Sequence, residues 1–211
     1  LEFPTLNYRI DKATSIIQKG QRLLDIGCGD GTFGLKVREK FSELYGVDIV
    51  EEAVQTACGN GVNASVINLN HQPLPYSDNY FDAVTMLSSL QFIYDINATF
   101  QECFRVIKNG GSIIICVPNL RSYWRIYRIL FLGRFPRTSL DPIGYDGGTI
   151  HYFCYQNLKE LLQSNGFEVY SKHGIYCLPK FSNLFPDKGI IGYIKSEFLS
   201  GEILVCARKI G

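Results

Sequence analysis

The residues best placed to do chemistry lie in one stretch, Leu23-Leu24-Asp25-Ile26-Gly27-Cys28-Gly29-Asp30-Gly31-Thr32-Phe33. An acidic residue sits inside an apolar run, and three glycines follow at alternate positions. Glycine lets the backbone bend sharply and lets a flat or charged ligand approach where a Cβ would block it. At the head of a parallel sheet, such a turn is a nucleotide-cofactor site. A second carboxylate, Asp48, ends the short run Leu44-Tyr45-Gly46-Val47, nineteen residues beyond Gly29. That is about where a carboxylate meets ribose hydroxyls in a dinucleotide site.

Two ligands compete for the turn. Gly29-Asp30-Gly31-Thr32-Phe33-Gly34 satisfies the Gly-x-Gly-x-x-Gly pattern, so an NAD(P)-dependent reductase of Rossmann type is one reading. Two features oppose it. The apolar run stops at Ile26, so the turn starts at Gly27, and the third glycine position then holds Thr32. Asp25 would also repel a pyrophosphate, whereas it suits a cationic amino-acid moiety.

The elements that must position these residues alternate along the chain. Residues 8–19 read as a helix, Arg22–Ile26 as a strand and Phe33–Lys40 as a helix. Leu44–Asp48 is a strand, Glu51–Cys58 a helix, and Ala64–Leu69 and Phe81–Leu87 are strands. Ile96–Val106 is a helix ended by Asn109-Gly110-Gly111, and Ser112–Val117 is a fifth, β-branched strand. This rhythm predicts a doubly wound α/β sheet. After Pro118 it breaks. Residues 120–134 are aromatic, basic and helical, and 135–150 are loop-like. Asn157–Asn165 is helical, and Phe167–Lys172 and Glu202–Arg208 are final strands joined by a long loop over 174–200. Loops as long as 119–150 and 174–200 are natural places for substrate selection.

Several segments in order resemble one family. Leu24–Gly31 resembles the first motif of class I S-adenosylmethionine-dependent methyltransferases, and Gly46-Val47-Asp48 resembles the second. Leu74–Val84 is similar to the family's approach to strand four, and Arg105–Gly111 to its turn into strand five. His151-Tyr152-Phe153, Leu158–Leu162 and Asn165–Val169 resemble the last helix–strand unit of the small-molecule and glycan-type branch. The resemblance implies a Rossmann-like, doubly wound, seven-stranded sheet with an antiparallel last strand. It also implies a single domain over 1–211, with 119–150 as a lid-like insertion after strand five.

The implied cofactor is S-adenosyl-L-methionine, which carries an ammonium, a sulfonium and a ribose diol and no phosphate. On this resemblance Asp48 takes both ribose hydroxyls, while Gly27, Cys28 and Gly29 bring backbone up to the methionine part. Asp25 helps hold the ammonium, and Ile49 lies on an adenine face. Asn68 and Leu69 border the adenine edge, although Asn68 stands where the family usually has an acidic residue. Leu87 and Ser88 line the methionine end. Methyl transfer is an in-line displacement with a good leaving group, so alignment and desolvation carry much of it. A base is needed only where the acceptor must lose a proton. Gln91 and Phe92 replace an acidic–histidine pair common in the family, which removes one candidate base. His151 is the other candidate; the alternative for it is a structural histidine where the insertion rejoins the fold. Cys28 is there because the turn needs a small residue. A binding module that holds the cofactor without transferring methyl also remains open.

Arg121, Arg125 and Arg128 fall at i, i+4 and i+7, beside Trp124, Tyr127, Leu130 and Phe131. The spacing predicts one basic helical face. Either it is the solvated face of a lid helix, or it recognises an acidic acceptor such as a phosphorylated sugar. Composition bounds the rest. The 211 residues suffice for a proper core, and a net charge of +1 with three clustered arginines argues against nucleic acid. No apolar run reaches a membrane span, so any preference for a membrane must come from a local patch. The seven cysteines form no Cys-x-x-Cys pair and the three histidines are far apart, which argues against a metal and for free thiols in a reducing cytoplasm.

Overall fold

The computed structural model describes residues 6–135, 148–176 and 195–211. In chain order the elements are α1 (Leu6–Ile16), β1 (Gly20–Ile26), α2 (Thr32–Val37), β2 (Phe41–Asp48), α3 (Glu51–Gly59), β3 (Asn63–Val66) and β4 (Phe81–Leu87). A 3-10 turn over Leu90–Phe92 leads to α4 (Ile96–Val106) and β5 (Ile107–Pro118). There follow α5 (Tyr123–Leu132), α6 (Tyr155–Ser164), β6 (Phe167–Tyr176), a π-turn over Lys195–Leu199 and β7 (Ser200–Lys209).

The seven strands form one sheet in the order β3-β2-β1-β4-β5-β7-β6. Strands β1 to β5 pair in parallel, and β7 runs antiparallel to both β5 and β6. The expected doubly wound sheet with an antiparallel last strand is therefore observed. Its apolar strands do not alternate with polar residues because both faces are covered. In β5, Ile113, Ile115 and Val117 face Phe100, Cys103, Leu158 and Leu162 of α4 and α6. Ile114 and Cys116 face the other way, with Ile10 and Ala13 of α1, Ile17 just past its end, and Phe33 and Val37 of α2. Strand order reverses between β1 and β4, so a crevice opens at the carboxyl ends of those strands.

Phe81–Leu87 and Ile96–Val106 stand where the sequence puts them, and Asp95 caps α4 by accepting the Ala98 N–H at 2.9 Å. Other boundaries move for identifiable reasons. Helix α1 ends at Ile16 rather than 19, because the Lys40 ammonium donates to the carbonyls of Thr14 and Ile17. Strand β2 begins at Phe41, which is buried opposite Gly20. The chain over 108–111, expected as a turn before the strand, is a bulge within β5. Ile107 already pairs with Phe81, and the register then slips to Ser112 opposite Ala83. Strand β3 ends at Val66, so Asn68 and Leu69 lie in the turn beyond it. Residues 174–176 extend β6 instead of belonging to the long loop; the rest of that loop up to 194, and 136–147 of the insertion, lie outside the described residues. No described helix is long and apolar enough to cross a membrane.

Candidate active site

The turn after β1 depends on glycine at three positions. Gly27, Gly29 and Gly31 have φ of +78°, +53° and +80°, values that an L side chain adopts only with strain. At Gly27 a Cβ would also lie 2.4 Å from the Cβ of Ser89, whereas at Gly29 it would meet nothing within 4 Å. Gly29 therefore faces open space, and Gly27 is packed.

The turn uses its own donors internally. The N–H groups of Gly27 and Cys28 donate to the Val47 carbonyl at 2.8 and 3.2 Å. Gly29 N–H donates to Asp48 Oδ2 at 2.9 Å, and Gly31 N–H to the Cys28 carbonyl at 3.0 Å. Asp48 Oδ1 accepts the Val50 N–H at 3.1 Å. One carboxylate thus locks the glycine turn to the end of β2 while each oxygen keeps lone-pair capacity for a further donor.

Asp25 is buried, and Thr85 of β4 donates to its Oδ1 at 2.6 Å. Burial raises its carboxyl to about 7; the Thr85 hydrogen bond opposes that shift and the charge of Asp48 adds to it. The Cys28 side chain turns into a small cluster with Ala57 and Val62, where burial above all pushes its thiol up to about 12. The buried side chain packs the turn and does not present a nucleophile. Ile49 is 67% exposed at the mouth. Ile67 N–H donates to the Asp48 carbonyl, which brings the 67–70 turn alongside, and Asn68 Oδ1 accepts the Asn70 N–H at 3.0 Å. The structure thus gathers Asp25, Gly27, Cys28, Gly29, Asp48, Ile49, Asn68, Leu69, Leu87 and Ser88 at adjoining carboxyl ends of β1 to β4.

On the β4–β5 side the site is built from Gln91, which the sequence marks only as a missing base, and from Arg9 and Glu202, which sequence reasoning does not mark. Ser88, a non-glycine at φ +68°, joins two of them. Its hydroxyl lies 3.5 Å from Glu202 Oε1 of β7, and its carbonyl accepts the Gln91 side-chain amide at 2.9 Å. Glu202 in turn pairs with Arg9 of α1 at 3.0 Å. Gln91 is 2% exposed, and its Oε1 is a buried acceptor without a hydrogen-bond partner among the described residues. One signal was present: Glu202 is an acid at the head of the apolar run Ile203–Ala207.

The Gln91 main-chain carbonyl accepts the N–H groups of Ile150 and His151, and Leu120 N–H donates to the Phe153 carbonyl. Both ends of the insertion are thereby fastened beside β4 and β5. His151 Nε2 lies 3.2 Å from the Tyr94 carbonyl. Since a carbonyl only accepts, Nε2 carries the proton and Nδ1 is the nitrogen able to take one.

The expected basic face is corrected. Arg121 precedes α5 and pairs with Glu197 at 3.3 Å. Arg125 is buried and donates to the carbonyls of Asn119 and Gly201. These two cations anchor the insertion; they do not line an open face. Among the described residues no cluster of His, Cys, Asp and Glu could hold a metal. The described cysteines are free, and Cys28, Cys103, Cys116 and Cys206 are buried.

Residues 24–115 match the family described as Methyltransferase domain. A demethylmenaquinone methyltransferase from Shouchella clausii is 31% identical over 129 residues, 57% of this chain and 54% of the relative. A ubiquinone/menaquinone biosynthesis C-methyltransferase from Erwinia tasmaniensis is 25% identical over 183 residues, 75% of this chain and 71% of the relative. The chain spans about half the length of the first of these. Among solved structures, a SAM-dependent methyltransferase from Thermotoga maritima, described as a possible histamine N-methyltransferase, superposes with a TM-score of 0.69. It is 20% identical, with 97% of this chain and 88% of that one covered, and this likeness is one of fold.

Proposed function

Because the chain belongs to the class I S-adenosylmethionine-dependent methyltransferase family, we propose that it transfers a methyl group from S-adenosyl-L-methionine to a small-molecule acceptor. One observation carries the choice of cofactor. The N–H groups of Gly27, Cys28, Gly29 and Gly31 all have acceptors within the protein. The same stretch holds Asp25 and Asp30 and no Lys or Arg. A pyrophosphate would find carboxylates where it needs donors. An ammonium and a ribose diol find acceptors, so these features support the adenosyl cofactor over NAD(P).

When bound, that cofactor supplies an electrophilic methyl on a sulfonium. Asp48 would accept from the ribose hydroxyls with the lone pairs that Gly29 and Val50 leave. Asp25 would face the ammonium, and the open side of Gly29 admits the methionine backbone. Ile49 offers an apolar platform to the adenine. With its oxygen on Asn70, the Asn68 carboxamide has its NH2 to give to an adenine ring nitrogen, a different hydrogen bond from the one a carboxylate would make. Leu87 and Ser88 would border the methyl group, and the described ends of the insertion, 119–135 and 148–150, would flank the acceptor side.

The relatives named for quinone substrates support an aromatic acceptor. The commitment of Arg121 and Arg125 to Glu197 and to backbone carbonyls removes much of the support for a phosphorylated or glycan-type acceptor. For a phenolic acceptor His151 would take the hydroxyl proton on Nδ1. The buried thiols suit a reducing cytoplasm.

Calorimetry with S-adenosylmethionine, S-adenosylhomocysteine and NAD is the test, followed by release of S-adenosylhomocysteine in the presence of demethylated quinols. Heat with the adenosyl ligands alone is expected. Heat with NAD alone overturns the reading, and binding without turnover on any acceptor leaves a binding module. His151→Gln should lower turnover at least about tenfold with cofactor affinity unchanged; unaltered turnover would assign His151 to holding the insertion.

A further inference from the structure

Helix α5 is built inside out for a surface helix in water. Its inward side is held by the buried Arg125, which donates to Asn119 O and Gly201 O. Its outward side carries Tyr123, Trp124, Tyr127, Leu130 and Phe131, with Leu130 and Phe131 exposed at 69% and 73%. The rings form a ladder, Trp124 on Tyr127 at 6.0 Å and Tyr127 on Phe131 at 5.2 Å between centroids. Charge on this segment has one sign: residues 119–135 contain four arginines and no acid. Arg128 lies over the Trp124 ring at 5.8 Å, and Arg134 is exposed just past the helix.

We propose that α5 docks this protein on the surface of an anionic lipid bilayer. A ten-residue helix is about 15 Å long, half of a hydrocarbon core, so it lies in the interface plane and does not span it. Leu130 and Phe131 enter the acyl boundary, Trp124 and the two tyrosines sit at headgroup depth, and Arg128 and Arg134 reach lipid phosphates. A second copy fits this face less well, because a two-fold contact through α5 would set arginines against arginines with no acid between them. Both ends of the insertion are fastened beside the crevice at Gln91 and Phe153. A lipid-soluble acceptor would then enter directly from the bilayer. That last consequence rests on the proposed methyl transfer; the docking does not.

The test is sedimentation of the full chain with phosphatidylglycerol-containing vesicles and with pure phosphatidylcholine vesicles, at low and high salt. Partitioning should be roughly tenfold stronger on the anionic vesicles and fall with salt. Leu130→Glu with Phe131→Glu should reduce it at least about tenfold. Arg128→Gln with Arg134→Gln should bring it near the phosphatidylcholine value. Unchanged binding of S-adenosylhomocysteine by the Leu130/Phe131 variant shows that the fold survives. Absence of partitioning overturns the proposal, as does partitioning that survives loss of Leu130 and Phe131. So does a wild-type dimer that these substitutions turn into monomer without any vesicle binding. If wild type binds vesicles but no adenosyl ligand, the docking stands and the methyl-transfer reading falls.

Discussion

The two halves of the crevice are made by different means. On the β1–β2 side, the turn is shaped mostly by main-chain geometry: three glycines at positive φ and four internal N–H contacts, with the Asp48 carboxylate accepting one of them and the Ser89 and Asn60 side chains donating to the Ile26 and Asp30 carbonyls. On the β4–β5 side, Arg9, Ser88, Gln91 and Glu202 are joined by contacts that use side chains, and His151 is held to Gln91 through its main chain. The first half is local and suits a constant ligand. The second is assembled over long range, and single substitutions can change it without disturbing the first.

Substitutions in the first half should have the largest effects. Gly27→Ala adds a Cβ 2.4 Å from Ser89 at φ +78°. It should cost at least about 3 kcal/mol of stability and abolish measurable S-adenosylhomocysteine binding. Gly29→Ala, with open space and only the positive φ to bear, should cost about 1 kcal/mol. Equal losses in thermal unfolding would break the distinction between packed and open glycines. Asp48→Asn weakens the acceptor of both Gly29 and the ribose, and calorimetry should record about 100-fold weaker binding.

The second half should respond differently. Glu202→Gln leaves Arg9 facing a neutral group and should lower stability by about 2 kcal/mol. Cofactor affinity should stay within about twofold, since Glu202 lies outside the turn. A large loss of affinity would mean that the halves are coupled.

The remaining effect concerns pH. Burial raises the Asp25 carboxyl to about 7 in the folded protein, whereas in the unfolded chain it titrates near 3.8. Between those values the folded state holds a proton that the unfolded state has released. The contribution of Asp25 to stability is therefore full at low pH and is lost as pH rises through neutrality. The melting temperature of Asp25→Asn relative to wild type should climb from pH 4 to pH 8. A cationic ligand beside Asp25 should displace that proton, read as buffer-dependent heat near neutral pH. A flat difference in melting temperature would place Asp25 outside this linkage.

What was legible follows the same division. Asp25, the glycine turn and Asp48 are contiguous signals, and β4 and α4 are bounded by local cues such as the Asp95 cap. The β5 bulge was hidden because it depends on Phe81 meeting Ile107 across the sheet. The end of α1 depends on Lys40, a residue beyond the next helix. Periodicity put Arg121, Arg125 and Arg128 on one face, but nothing local says that Arg125 points inward to Gly201.

The sequence by itself determined the alternation of elements, the strained turn and the carboxylates around it, because glycine conformation and apolar runs act over a few residues. Only the tertiary structure decided that the turn has used its N–H groups, that Ser88 links Glu202 to Gln91, and that two arginines anchor α5 while its aromatic side faces out. Those outcomes depend on which distant groups satisfy one another once water is excluded, and hydrogen bonds across the fold, not spacing along the chain, settle that.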